Sequence, residues 1–178
     1  MKYLFLVVLL FVGFACSDLN KGKQLKEIGD LEQTLDSIEV VLIENKFEEI
    51  DRYFKDAKIV ESRIKENYKS DTISLELASK IDRYKEMLQR TPLLRKGYKQ
   101  LLKDIELQQN SINFLYDDIE HGNGDRSKYE VYILKERENL TLIRISLLTY
   151  IKQRKEVIDG FETLHNDVYN FSFELITN

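Results

Sequence analysis

The dominant pattern along the chain is a repeat of apolar residues at alternating spacings of three and four. Near the C-terminus the repeat occupies Tyr129, Ile133, Glu136, Leu140, Ile143, Leu147, Tyr150, Arg154, Val157, Phe161, Leu164, Val168, Phe171 and Leu175. All but Glu136 and Arg154 are apolar or aromatic, so one side of a helix stays apolar over many turns. The pattern predicts a long helix over about residues 127–176.

Two further helices follow from the same repeat. A series from Ile81 through Leu102 and Tyr116 to Ile119 predicts a helix over about residues 73–120. A first series runs from Ile28 to Leu42, and a second part begins one residue out of phase at Phe47. The two parts together predict a helix over about residues 30–68. We interpret the slip as a local change in supercoiling rather than a helix end.

Pro92 is the only proline and lies inside the second predicted helix. Thr91-Pro92 is typical of an N-cap followed by the first helical position, so a new helix could begin there. The apolar series nevertheless keeps one register across Pro92. We therefore expect a single helix kinked at Pro92, with two separate helices as the alternative.

Short polar breaks separate the three helices. Residues 69–72 form the first break, with Asp71 or Thr72 as the expected N-cap, and residues 121–125 form the second. Ser127 and Glu130 match a capping box for the last helix. Because short loops make neighbouring helices antiparallel, we predict an all-α, elongated, antiparallel three-helix bundle over residues 30–178, similar to a coiled coil.

The N-terminus has the marks of an export signal. Lys2 supplies a positive charge, residues 3–14 are apolar apart from Gly13, and polar residues follow Cys16. The apolar run is shorter than the roughly 20 residues that a transmembrane helix needs. Cys16 is the only cysteine, so it cannot form an intramolecular disulfide, and an odd cysteine in an exported chain calls for another role.

The stretch Gly13-Phe14-Ala15-Cys16 resembles the lipobox of bacterial lipoproteins, although Gly13 replaces the usual Leu. The resemblance implies a signal peptide over residues 1–15, lipid attached to Cys16, and cleavage just before it. Residues 16–29 are then the lipidated cysteine and a polar tether. Ser17 after the cysteine favours the outer membrane, facing the periplasm. The alternative is an ordinary signal peptide cut after Ala15.

Charge and composition exclude some functions. Basic residues number 27 and acidic residues 31, a formal net charge of −4, which gives no basic surface for nucleic acid. His165 follows Glu162 by three residues, but di-iron bundles need a second such pair. His121 lies among acids whose spacing does not fit a calcium loop, and we expect it to close a helix with Gly122. We predict no catalytic, cofactor or metal site.

Tyrosines along the helical series admit two interpretations. Tyr84, Tyr98, Tyr116 and Tyr150 belong to the series itself, and aromatic residues at helical spacing usually form the core. The alternative is that they line a groove for a ligand. Residues 140–151 are apolar on nearly all sides, which favours packing against both other helices or an additional interface such as a homo-oligomer contact.

These observations predict a structural or protein-interaction module held on a membrane by lipid on Cys16. Its expected partner is another envelope protein bound through amphipathic helices. The alternative is a ligand-binding or sensory helical domain with a pocket between helices. The absence of recognisable catalytic motifs argues against an enzyme.

Overall fold

The computed structural model describes residues 2–69 and 72–177, with side chains described from residue 20 onward. Its helices are α1 (Lys2–Glu44), α2 (Glu48–Asn67), α3 (Leu75–His121) and α4 (Tyr129–Thr177), with a 3₁₀ turn at Arg126–Lys128. No strand occurs among these residues. The chain is an all-α helical bundle, which confirms the predicted fold class.

The chain divides into two compact units. The first unit comprises Met1–Val41 and Lys103–Ile145, and the second comprises Leu42–Leu102 and Ser146–Asn178. The sequence predicted one domain over residues 30–178. It gave no sign of the division because α3 and α4 each continue from one unit into the other without a break in their apolar repeat.

The first unit buries one apolar side of each of its helices. In this unit α3 and α4 are antiparallel, since Gln108 bonds to Glu136 and Asp118 bonds to Tyr129. The core residues are Ile28, Leu31, Leu35 and Ile38 of α1, Ile105, Ile112, Leu115 and Ile119 of α3, and Tyr129, Ile133, Leu140 and Ile143 of α4.

The second unit has its own core. Here α3 is antiparallel to α4, as the Tyr84–His165 and Tyr98–Tyr150 contacts show. The core residues include Leu42, Phe47, Ile50, Ala57 and Val60 from the first third of the chain, Ile81, Tyr84, Leu88 and Leu94 of α3, and Leu147, Tyr150, Val157, Leu164 and Val168 of α4.

The predicted first helix, over residues 30–68, is two helices, so that prediction was wrong. The chain leaves helical geometry between Glu44 and Glu48. The Tyr150 hydroxyl donates to the Asn45 carbonyl at 2.8 Å, and Arg154 Nε donates to the Lys46 carbonyl at 3.4 Å. Side chains of α4 thus bond backbone groups at the break, so the slip in the apolar series marks a helix end.

The predicted tether over residues 16–29 also differs from the structure, because α1 continues through it as helix. Ile28 is 1% exposed and belongs to the core of the first unit. Lys23 lies 3.7 Å from Glu27 one turn later, a spacing that supports helix. The polar composition of this stretch reflects a solvated helix face.

The helix starts use different caps from those predicted. Ser74 Oγ accepts a hydrogen bond from Leu77 N at 3.2 Å and begins α3, whereas Thr72 was expected to do so. Asp71, the other predicted cap, lies outside the described residues. Before α4, Asp125 accepts from Ser127 N at 3.1 Å and caps the 3₁₀ turn that leads into α4, where Ser127 was the expected cap.

Pro92 lies inside one continuous helix, as expected. Thr91 does not act as an N-cap, because it is 1% exposed and its hydroxyl donates to the Met87 carbonyl at 3.0 Å. The alternative of two helices divided at Pro92 is therefore excluded.

Candidate functional site

A cavity of about 340 Å³ opens among α2, α3 and α4 of the second unit. Three helices contribute to its wall, and most of the contributing side chains are apolar or aromatic. The lining residues are Glu61, Ile64, Lys65, Tyr68, Ile81, Tyr84, Lys85 and Val168. A concave, mostly apolar cavity of this size is the usual form of a small-molecule site.

Tyr84, which lines this cavity, forms a partly buried polar pair with His165. Tyr84 is 1% exposed, and its hydroxyl oxygen lies 2.6 Å from His165 Nδ1. Burial lowers the pKa of His165, although the carboxylate of Asp56 partly opposes this shift. Burial also raises the pKa of Tyr84, and the carboxylates of Asp56 and Glu61 add to that shift. At neutral pH both groups are therefore uncharged, and the hydrogen bond joins a neutral phenol to a neutral imidazole.

A row of stacked rings extends from this pair along α4. Phe161, His165, Tyr169 and Phe173 follow one another at spacings of four, which places them on one side of the helix. The Phe161 and His165 ring centroids are 4.1 Å apart, and Tyr53 of α2 stacks on Phe161 at 4.5 Å. This packing fixes the orientation of the His165 ring.

Arg63 of α2 packs on this row and lacks one hydrogen bond. The Arg63 guanidinium lies over the Tyr169 ring, 5.5 Å from its centroid. Its Nη1 atom is the only buried side-chain N or O atom without a hydrogen-bond partner among the described residues. The cation–π contact partly compensates for this loss of hydration.

The charged residues that line the cavity differ in how closely they are ion-paired. The Glu61 carboxylate is held by Lys58, with Nζ to Oε2 at 2.6 Å. Lys85 lies 3.8 Å from Asp82, and Lys65 forms no ion pair within the described part of the chain. The cavity is therefore lined by two lysines and by one carboxylate that is already paired.

The first unit carries an exposed apolar surface on α4, which we call the α4 face. Its residues are Val131, Leu134, Leu142 and Ile145, with exposed fractions of 62%, 52%, 63% and 56%. At 100° per residue these four side chains share one side of the helix, around Glu138. Leu140 and Ile143, between them in sequence, face the core. Residues 140–151 thus place some of their apolar side chains in the core and others on the surface.

A buried carboxylate lies beneath this unit's surface. Glu136 is 8% exposed and occupies a position of the apolar series. It accepts hydrogen bonds from Gln108 Nε2 at 2.7 Å, Ser111 Oγ at 2.8 Å and Asn139 Nδ2 at 3.3 Å. Three neutral donors thus satisfy the carboxylate, and two of them, Gln108 and Ser111, link α3 to α4.

The acidic residues around His121 meet at the end of α3. Ligand-capable atoms of Asp117, Glu120 and His121 lie within 4.8 Å of one another, and all three residues are exposed. His121 Nδ1 lies 3.0 Å from the Asp117 carbonyl. Gly122 has φ +68°, and Asn123 N donates to Asp118 O at 2.8 Å, which completes a Schellman helix end. The expectation that His121 and Gly122 close a helix is confirmed.

Sequence reasoning placed some of the other site residues correctly. Tyr84 and Tyr150 are core residues as predicted, whereas Tyr116 is 37% exposed and its neighbour Leu115 is buried instead. His165 flanks the core as expected, but its bond to Tyr84 was missed. The side chain of Cys16, the predicted lipid attachment site, lies outside the described residues.

Within residues 20–69 and 72–177, no helix is long and apolar enough to cross a membrane. Comparison with known proteins gives no match: no family model, curated protein or solved structure is significantly similar to the chain.

Proposed function

We propose that this protein is a lipid-anchored lipoprotein of the bacterial cell envelope whose helical body binds another envelope protein. Cys16 is the proposed attachment point, and the outer membrane, on its periplasmic side, is the proposed location. The apolar leader, the small residue Ala15 and the single cysteine support the anchor. The surface of the helical body supports the binding role.

The observation that carries the binding role is the α4 face. Its four aliphatic residues are each more than half exposed. A group of large aliphatic side chains on one helix face, rather than scattered singly, marks an interaction surface. Covering apolar area contributes about 25 cal/mol per Å², so a partner that covers all four side chains gains substantially.

The shape and charge of the α4 face indicate the kind of partner. Residues at 131, 134, 142 and 145 form a narrow strip along one helix, which fits an amphipathic helix laid beside it. Exposed Lys135 lies at one edge of the strip, and exposed Glu138 lies at its centre. The proposed partner is an amphipathic helix with an apolar stripe.

Site-directed photocrosslinking in cells tests this role. A benzophenone amino acid at Leu142 of the full chain is expected to give one adduct of defined mass. The same group at Leu107, which is 56% exposed on α3 of the same unit, is the control and is expected to give none. An adduct of twice the chain mass would identify the partner as a second copy.

A charge substitution makes the test specific. Ile145→Glu is expected to abolish the Leu142 adduct because a carboxylate would have to be buried in an apolar interface. Leu107→Glu should leave the adduct unchanged. If Ile145→Glu leaves the adduct in place, or if both positions crosslink equally, the α4 face is not the binding surface.

A further inference from the structure

We infer that the cavity of the second unit binds a small amphipathic carboxylate, with its apolar body against Ile64, Tyr68 and Ile81 and its carboxylate at Lys65 and Lys85. The inference is independent of the α4 face, because the two share no residue and belong to different units.

The cavity wall requires an apolar ligand body. Ile81, Tyr84 and Val168 are only 7%, 1% and 0% exposed, so the floor of the cavity is the apolar core of the second unit and not hydrated surface. The Tyr84 hydroxyl is already hydrogen-bonded to His165 Nδ1 at 2.6 Å. A polar ligand body would therefore lose hydrogen bonds to water without recovering them, at a cost that an alkyl or aryl body avoids.

The charges at the cavity require an anionic end. Glu61 is paired with Lys58 at 2.6 Å, which leaves it poorly placed to hold a cationic ligand. Lys85 has only a long contact of 3.8 Å with Asp82, and Lys65 is exposed in the last turn of α2. Two ammonium groups can each donate to a carboxylate, and such charge-assisted bonds are stronger than neutral ones.

Size sets the last limit on the ligand. At about 340 Å³ the cavity lies near the lower end of the range for small-molecule sites, about 300–1,000 Å³. The class that fits is a monocarboxylate with one aryl ring or a short alkyl chain.

Binding of two soluble probes tests the inference. The full chain in lipid nanodiscs is titrated with 3-phenylpropionate and with hexanoate, followed by saturation-transfer NMR, with empty nanodiscs as the blank. We expect saturable binding of at least one carboxylate. Its neutral amide should bind roughly tenfold more weakly, the ratio expected when a charge-assisted hydrogen bond is lost.

Matched variants locate the binding. Ile64→Trp fills the cavity and is expected to remove carboxylate binding, whereas Ile59→Trp, at a 53% exposed position of the same helix, should preserve it. The double variant Lys65→Gln/Lys85→Gln should weaken carboxylate binding roughly tenfold and leave amide binding unchanged. Lys55→Gln, an exposed lysine of α2 outside the cavity, is the charge control. Melting curves check that each variant is folded.

Three results would overturn the inference: no saturable binding of either carboxylate, equal binding of amide and carboxylate, or binding that survives in both Ile64→Trp and the double lysine variant. The Leu142 photocrosslink should be unchanged in all the cavity variants. Failure of the ligand site is thereby distinguished from failure of the proposed binding surface.

Discussion

Glu136 is a buried carboxylate satisfied by neutral donors, and its removal should be costly. Glu136→Ala leaves the Gln108 amide and the Ser111 hydroxyl without their acceptor, so we expect the free energy of unfolding to fall by about 2 kcal/mol. Denaturant titration measures this. Glu138→Ala, at an exposed position of α4, should change stability by less than about 0.5 kcal/mol.

A double variant separates hydrogen bonding from packing at Glu136. In Gln108→Leu/Glu136→Leu both polar groups are replaced, so most of the lost stability should return. If the double variant is as unstable as Glu136→Ala, the polar network is not the cause of the loss.

His165 is expected to make stability depend on pH. Its pKa in the folded chain is lowered from the ordinary value of 6.5 because the ring is partly buried. As the pH falls below 6.5, the unfolded chain binds a proton that the folded chain does not, so the free energy of unfolding decreases on acidification. The stability that the neutral His165 ring contributes is fully present above pH 6.5. It is lost as the pH falls toward the pKa of His165 in the folded chain.

Denaturant titrations between about pH 7 and pH 5 measure this dependence. His165→Gln should show a shallower fall in stability than the parent chain. His121→Gln replaces the other histidine, which is exposed at the end of α3, and serves as the control. Identical slopes for His165→Gln and the parent would contradict the assignment.

At the scale of elements, Pro92 is a local defect in α3. Proline has no N–H to donate to the carbonyl of Leu88, and in a helix interior it is about 3 kcal/mol less favourable than alanine. Because Pro92 is exposed, Pro92→Ala should restore that bond without disturbing the core and raise stability by about 1–3 kcal/mol.

Thermal or denaturant unfolding measures the effect of Pro92→Ala. Leu93→Ala, at a neighbouring position that is 71% exposed, is the control for loss of side-chain contacts. A lower stability of Pro92→Ala would mean that the proline contributes to the packing of α3 in a way its exposure does not reveal.

The break between α1 and α2 shows that an apolar series alone does not locate the end of a helix. A shift of one residue in the series is compatible with a change in supercoil or with a helix end. Tyr150 and Arg154 decide between them, because they bond the carbonyls of Asn45 and Lys46. Those partners come from α4, roughly a hundred residues away in sequence, and no local pattern reveals them.

At the scale of the whole molecule, the proposed anchor has a direct chemical test. Protein purified from a bacterial host that processes lipoproteins should lack residues 1–15 and carry acyl chains at Cys16, which intact-mass spectrometry detects. Several acyl chains are needed for stable attachment, since one chain alone binds membranes only marginally.

Cys16→Ser should abolish both the added mass and the cleavage before residue 16, because the acceptor thiol is gone. Ser17→Ala is the control and should still be acylated. A free thiol at Cys16, or a leader still attached to the parent protein, would refute the proposed anchor.

The apolar repeat is sufficient to predict that the chain is helical and which sides of α1 and α4 are buried. The repeats through Ile28, Leu35 and Leu42 and through Ile133, Leu140 and Leu147 are each confirmed as core. These predictions succeeded because the apolar repeat of each helix keeps one register over many turns, and burying such a continuous side is the dominant favourable term in folding.

The phase of the buried series in α3 and the residues of the candidate site depend on how the helices pack. The expected series used Leu102 and Tyr116, whereas the structure buries Leu101 and Leu115, and both series have spacings of three and four. The Tyr84–His165 bond joins residues 81 positions apart, and the cavity beside it needs side chains from three helices. Helical periodicity is a local property, whereas contacts of this kind depend on how the helices pack against one another.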